Sequence, residues 1–123
     1  MSFSWQDNRV FLIFAAAPGP SVEEQVRALA AERDALAERD MVVLAVTGDD
    51  VTPIFGDVPS DADARALRTR CGVDAATPFT ALLIGKDGGV KWRETRPADP
   101  AELFGLIDTM PMRRAEMREQ HTP

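Results

Sequence analysis

Cys71 is the only thiol in the 123-residue chain, His121 is the only imidazole, and tyrosine is absent. A thiolate at Cys71 could carry disulfide exchange or peroxide reduction if its surroundings lowered its pKa. Arg68 and Arg70 supply nearby positive charge. Gly72, however, marks a helix C-terminus immediately after the cysteine, and the negative end of the helix dipole disfavours an anion there. Cys71 therefore reads first as a small core residue and only as an alternative catalytic nucleophile. His121 lies in the tail Glu-Gln-His-Thr-Pro, too near the end of the sequence to be held against a Ser or Cys. Without an imidazole, the alcohol of Ser21 has no activating base.

Other groups of reactive side chains are weaker. Met110, Met112 and Met117, with His121, could be drawn as a thioether copper(I) site. Methionines on a terminal helix more often fill gaps or meet a partner, so Met110, Met112, Arg113 and Met117 read as a docking surface. The aspartates at 49, 50, 57, 61 and 63 lack the alternating ligands and closing Glu of a calcium loop. With no Cys/His spacing either, no metal and no cofactor are expected. Lys86 and Lys91 flank a turn and read as exposed charges. Arg9, near Trp5, is expected to pair with a neighbouring Asp.

The totals narrow the partners. Twelve arginines and two lysines against twenty acidic residues leave a net charge of −6, the wrong sign for nucleic acid or an anionic membrane surface. One cysteine cannot form an internal disulfide. The apolar run 10–17 is too short to span a bilayer and has no basic segment before it, so a cytoplasmic location is expected. A chain of this length buries roughly two-thirds of its unfolded surface, enough for one core. A single domain over 1–119 with a frayed tail at 120–123 follows.

The elements that must position these groups read as alternating strands and helices. Residues 9–16 and 41–46 are continuous apolar runs suited to strands buried on both faces. Between them Pro18-Gly19-Pro20 breaks the chain, and Ser21 with Glu24 predicts a capping box for a helix over 22–39. Val22, Val26, Leu29 and Leu36 form its apolar stripe. Residues 47–60 read as a loop, and Ser60-x-x-Asp63 opens a helix over 61–71 with Gly72 beyond its end. Residues 79–84 and 90–93 form a hairpin around Asp87-Gly88-Gly89, with Val90 and Trp92 on one face. Asp99-Pro100 opens a helix that stops near Pro111, and a short amphipathic segment follows. The order β-α-β-α-β-β-α predicts an α/β fold: a four-stranded mixed sheet with helices on both faces.

That order resembles the thioredoxin core, and two stretches sharpen the likeness. Thr77-Pro78 before the third strand, with Asp87-Gly88 after it, is similar to the thioredoxin segment in which the proline is cis. The resemblance implies a cis Pro78 facing the loop 17–21. That loop, Ala17-Pro18-Gly19-Pro20-Ser21, stands where a thioredoxin carries Cys-Gly-Pro-Cys, with Pro18 and Ser21 in place of the cysteines. A narrower likeness covers nearly the whole chain. Trp5-x-x-Asn8-Arg9, Glu38-Arg39-Asp40, the stretch from Leu83 to Lys91, and Ile107-Asp108 through Arg113-Arg114 resemble domain-of-unknown-function family 4174. The resemblance implies the bacterial branch of the peroxiredoxin-like domains repeated in sushi-repeat-containing and equarin proteins. The family brings no reaction with it. The expected function is a redox-inactive module with a groove formed by 17–21, Thr77 and Pro78, where the backbone before Pro78 pairs with an extended segment. The partner is a protein or peptide, or a second copy of the chain. The alternatives are a peroxiredoxin-like thiol oxidoreductase using Cys71, and an anion site over the first helix N-terminus.

Overall fold

The first apolar run forms β1 (Arg9–Ala15), and every one of its residues is buried. The computed structural model describes residues 7–57 and 63–120. It pairs β1 in parallel with β2 (Met41–Thr47) and antiparallel with β4 (Thr80–Ile84), so β1 has no free edge. β3 (Asp50–Phe55) joins the far side of β2, and β5 (Val90–Glu94) the far side of β4. The sheet is five-stranded, in the order β3-β2-β1-β4-β5.

The fifth strand departs from the four expected, because β3 lies inside the stretch read as a loop. Its apolar residues Val51, Ile54 and Phe55 are only half-buried and do not alternate, and it contains Pro53. Proline is tolerated there because an edge strand needs hydrogen bonds on one side only. Gly48, at φ +59°, supplies the tight reversal between β2 and β3.

Alternation along β1 sorts the core into two layers. Phe11, Ile13 and Ala15 face α1 (Pro20–Ala30), α2 (Arg33–Glu38) and α4 (Pro100–Asp108), through Val22, Leu29, Leu36, Leu103 and Ile107. Val10, Leu12 and Phe14 face α3 (Ala64–Cys71) through Ala64, Leu67 and Cys71. The expected helices on both faces are therefore present. The last helix, α5 (Pro111–Gln120), contributes no described residue to either apolar cluster.

The helix expected over 22–39 is two helices. Glu32 leaves the helical region at φ −117°, ψ 39°, and no Gly or Pro marks the break. The start also differs. Gly19, extended, is the N-cap; Pro20 is the first helical residue and Ser21 caps nothing. Proline's preset φ suits that first position, so the helix begins before Ser21 can cap it. The cap at Asp99 and the end at Gly72 agree with the sequence, but α3 starts at Ala64 and not at 61, with Asp63 itself as the N-cap. Asp63 accepts from the Ala66 amide at 2.8 Å, Asp99 accepts from Ala101 at 3.0 Å, and Gly72 closes α3 at φ +66°. Ser60 lies outside the described residues.

Two packing details depart from the periodic reading. A register shift in β4–β5 sets Val90 opposite Ile84 but Trp92 opposite Leu83, so the two no longer share a face. Trp92 packs on Phe11, with ring centroids 6.1 Å apart. In α1 the buried residue is Gln25 rather than Val26, which is only half-buried. The Gln25 amide accepts from the Ala98 N–H at 2.6 Å and donates to the Ala98 carbonyl at 3.1 Å. It thereby fastens the entry of α4 to α1. Gln25→Leu keeps the volume but strands both backbone groups away from water. Urea unfolding is expected to show a loss of about 2–4 kcal/mol, well above that of an exposed Glu24→Leu change.

Candidate functional site

The two ends of β1 carry the candidate sites. At its C-terminal end the chain runs through Ala16, Ala17 and Pro18 into α1, opposite Thr77 and Pro78. Ala16, Ala17, Pro18, Pro20, Ser21 and Pro78 are exposed, and Gly19 and Thr77 are half-buried. The Ala16 amide donates to the Thr77 carbonyl at 3.0 Å, which sets Thr77 beside the residue that precedes the segment 17–21. Two expectations fail there. The Thr77–Pro78 bond is trans, the state X-Pro bonds favour unless tertiary packing selects the other. The Thr77 amide is also already used: it donates to the Asp74 carbonyl at 3.0 Å, closing a turn in which Asp74 also caps Ala76. A partner strand cannot pair with that amide without opening the turn.

Arg68 anchors this end from beneath, a role no sequence signal announced. Although buried, its guanidinium donates to the carbonyls of Gly48 at 2.6 Å and Ala15 at 3.1 Å. It thereby ties α3 to the ends of β1 and β2. An open groove of about 580 Å3 lies beside it, lined by Asp49, Arg65, Thr69 and Asp74 among others.

Cys71 does not reach the loop 16–21. It is 6% exposed and packs in the α3 layer, whereas α1 lies on the other face of the sheet. Burial pushes its thiol up, and the charges of Arg70 and Arg93 only partly oppose this. Arg93 is instead committed to the Cys71 carbonyl, at 2.8 Å. Such a thiol is a poor nucleophile near neutral pH.

The N-terminal end of β1 holds a network of ions. Arg9 is 1% exposed; its guanidinium grips both oxygens of Glu116 at 3.2 and 3.1 Å and donates to the Arg39 carbonyl at 2.8 Å. The expected acidic partner exists, but it is a glutamate from α5 rather than a nearby aspartate. Lys86 is not the exposed charge expected from its turn: its ammonium meets Glu116 at 2.9 Å and Asp40 at 2.8 Å. Lys91, by contrast, pairs locally with Asp87 at 2.7 Å. Arg39 pairs with Asp108 at 2.8 Å, and Arg113 with Asp108 at 3.0 Å and Glu38 at 3.2 Å. Arg113 is buried and fully engaged, so it leaves the docking surface to which the sequence assigned it. Of the other members Met112 is exposed, while Met110 and Met117 are half-buried. Met110, Pro111 and Met112 line a cleft of about 110 Å3 beside Arg9 and Lys86.

Segments that looked like separate signatures in the sequence thus meet at one place. Arg9, Glu38-Arg39-Asp40, Lys86, Asp108 and Arg113 are drawn from all four motifs. Spacing could not reveal this, because Arg9 and Glu116 lie 107 residues apart. Among the described residues no cluster of His, Cys, Asp and Glu could hold a metal ion. Trp5, Asp61 and His121 lie outside the described residues.

The sheet order and the helices on its two faces define a thioredoxin-fold domain, here without paired cysteines at the start of α1. Residues 1–116 match the model of the domain of unknown function DUF4174, and the chain belongs to that family. The fold is similar to a thioredoxin-fold protein from Helicobacter pylori, at 14% identity and a TM-score of 0.54, over 99% of this chain and 78% of that one. It is also similar to the crystal structure of Trgpx in apo form, at 21% identity and a TM-score of 0.51, over 84% and 80% of the two chains. No curated protein gives a significant sequence match. None of the helices described is long and apolar enough to cross a membrane.

Burial works to raise the Glu116 carboxyl, but hydrogen bonds from Arg9 and Lys86 outweigh it and hold the group below its ordinary value. Asp108 is held down in the same way by Arg39 and Arg113. A depressed carboxylate contributes its stability above the unfolded-state pKa and loses it as pH falls through the folded value. The urea midpoint is therefore expected to be flat near neutral pH and to fall below about pH 4. Glu116→Gln is expected to flatten part of that fall, read as a smaller acid-limb slope.

Proposed function

We propose that this domain acts by binding a protein or peptide partner and not by thiol exchange. The observation that carries the reading is the separation of thiol from loop. Cys71 is buried in one layer, while the exposed, cysteine-free segment 16–21 opens the helix on the other. The contact surface is the exposed face of Ala17, Pro18, Pro20 and Ser21 together with Pro78. Because the Thr77 amide is taken, the partner engages these side chains and carbonyls rather than adding a strand at Thr77. A second copy of the chain is one such partner. A cytoplasmic location, and kinship with the bacterial branch of the domains in sushi-repeat-containing and equarin proteins, belong to the same proposal and rest on the sequence.

Two measurements test it. Alkylation of Cys71 in the folded chain is expected to run about 100-fold or more slower than in denaturant, with no peroxide consumption. A thiol that titrates below about 8.5 and reacts quickly would favour the oxidoreductase instead. Capture of a partner from source-cell lysate is expected to survive Cys71→Ala and to weaken with Ser21→Arg or Pro78→Ala. Capture indifferent to both surface changes would place the contact elsewhere.

A further inference from the structure

α5 is the one described helix that no apolar cluster holds. Its one buried described side chain is Arg113, and Ala115, Glu116 and Met117 are only half-buried. Charge holds it. Glu116 binds Arg9 of β1 and Lys86 beyond β4, and sits 3.9 Å from Arg113 of its own helix. Arg113 binds Asp108 of α4 and Glu38 of α2. Lys86 is shared with Asp40. Pro111 has no amide to continue the α4 ladder, so α5 can move without unwinding α4. Once undocked, a helix of ten residues does not persist alone in water.

We propose that α5 is a strap that opens as a unit, with Glu116 as its latch. Neutralising that carboxylate releases residues 111–120 and opens the Arg9 guanidinium to water, while Lys86 keeps Asp40. Arg39 stays with Asp108 and Lys86 with Asp40, so of these three cations Arg9 alone loses its carboxylate when the strap opens. The latch is at the opposite end of β1 from the loop 16–21, and the proposal stands independently of the function proposed above.

Hydrogen exchange on the full chain tests it. In Glu116→Gln, amides of 111–120 are expected to exchange about ten-fold or more faster than in the unaltered chain, while those of β1, β2 and β4 stay unchanged. Met117→Ala, which trims the largest half-buried apolar side chain of α5, is expected to change them less than about three-fold. If Met117→Ala loosens α5 as much as Glu116→Gln, apolar packing is the latch and the proposal fails. It fails equally if Glu116→Gln accelerates the sheet together with α5. Should Glu116→Gln not fold, the unaltered chain decides. Exchange in 111–120 is then expected to be nearly independent of dilute urea while β1 follows it strongly, and equal urea dependence overturns the strap.

Discussion

Everything else in this domain hangs on β1. It is buried on both faces and paired on both edges, so its backbone can meet the rest of the molecule only at its two ends. Each end is closed by a buried guanidinium. Arg9 closes the first by binding the Arg39 carbonyl and Glu116, and Arg68 closes the second by binding the carbonyls of Ala15 and Gly48. A guanidinium suits both places because its planar fork can satisfy two acceptors at once. Arg68 cannot leave either carbonyl without stranding a buried charge, whereas Arg9 keeps the Arg39 carbonyl if Glu116 moves away.

The same plan keeps the lone thiol apart from the start of α1. Thiol exchange needs a cysteine at a helix N-terminus, where free amides and the dipole stabilise a thiolate. Here that helix start offers Pro18, Gly19 and Ser21, while the lone cysteine ends a helix on the other face of the sheet. The fold positions an exposed loop beside Thr77 and buries the one thiol on the other face of the sheet. Function has to be argued from that surface and not from the architecture.

Much of the fold was legible in the sequence. Continuous apolar runs gave β1 and β2, Asp99-Pro100 gave the start of α4, and Gly72 gave the end of α3. What escaped did so for physical reasons. In β3 Thr52 and Pro53 separate Val51 from Ile54 and Phe55, so it carries neither an alternating nor a continuous apolar pattern. The break at Glu32 lies among good helix formers. Gln25 reads as a wet residue until its amide meets Ala98, 73 positions away. Cys71 was correctly read as a core residue, whereas the cis state of Pro78 came only from resemblance and is absent.

The sequence by itself determined the buried strands β1 and β2, the cap of α4, the end of α3 and the presence of a single thiol. These depend on residue type and on neighbours a few positions apart, which a linear reading sees directly. Only the tertiary structure decided which charges are spectators and which are structural. Arg9, Lys86 and Arg113 look like ordinary surface ions in sequence, and Lys91 does too. Arg9 and Lys86 share Glu116 of α5, Arg113 shares Asp108 with Arg39, and Lys91 stays with its neighbour Asp87. Ion pairing depends on distance in space and on burial, and neither is encoded in spacing along the chain.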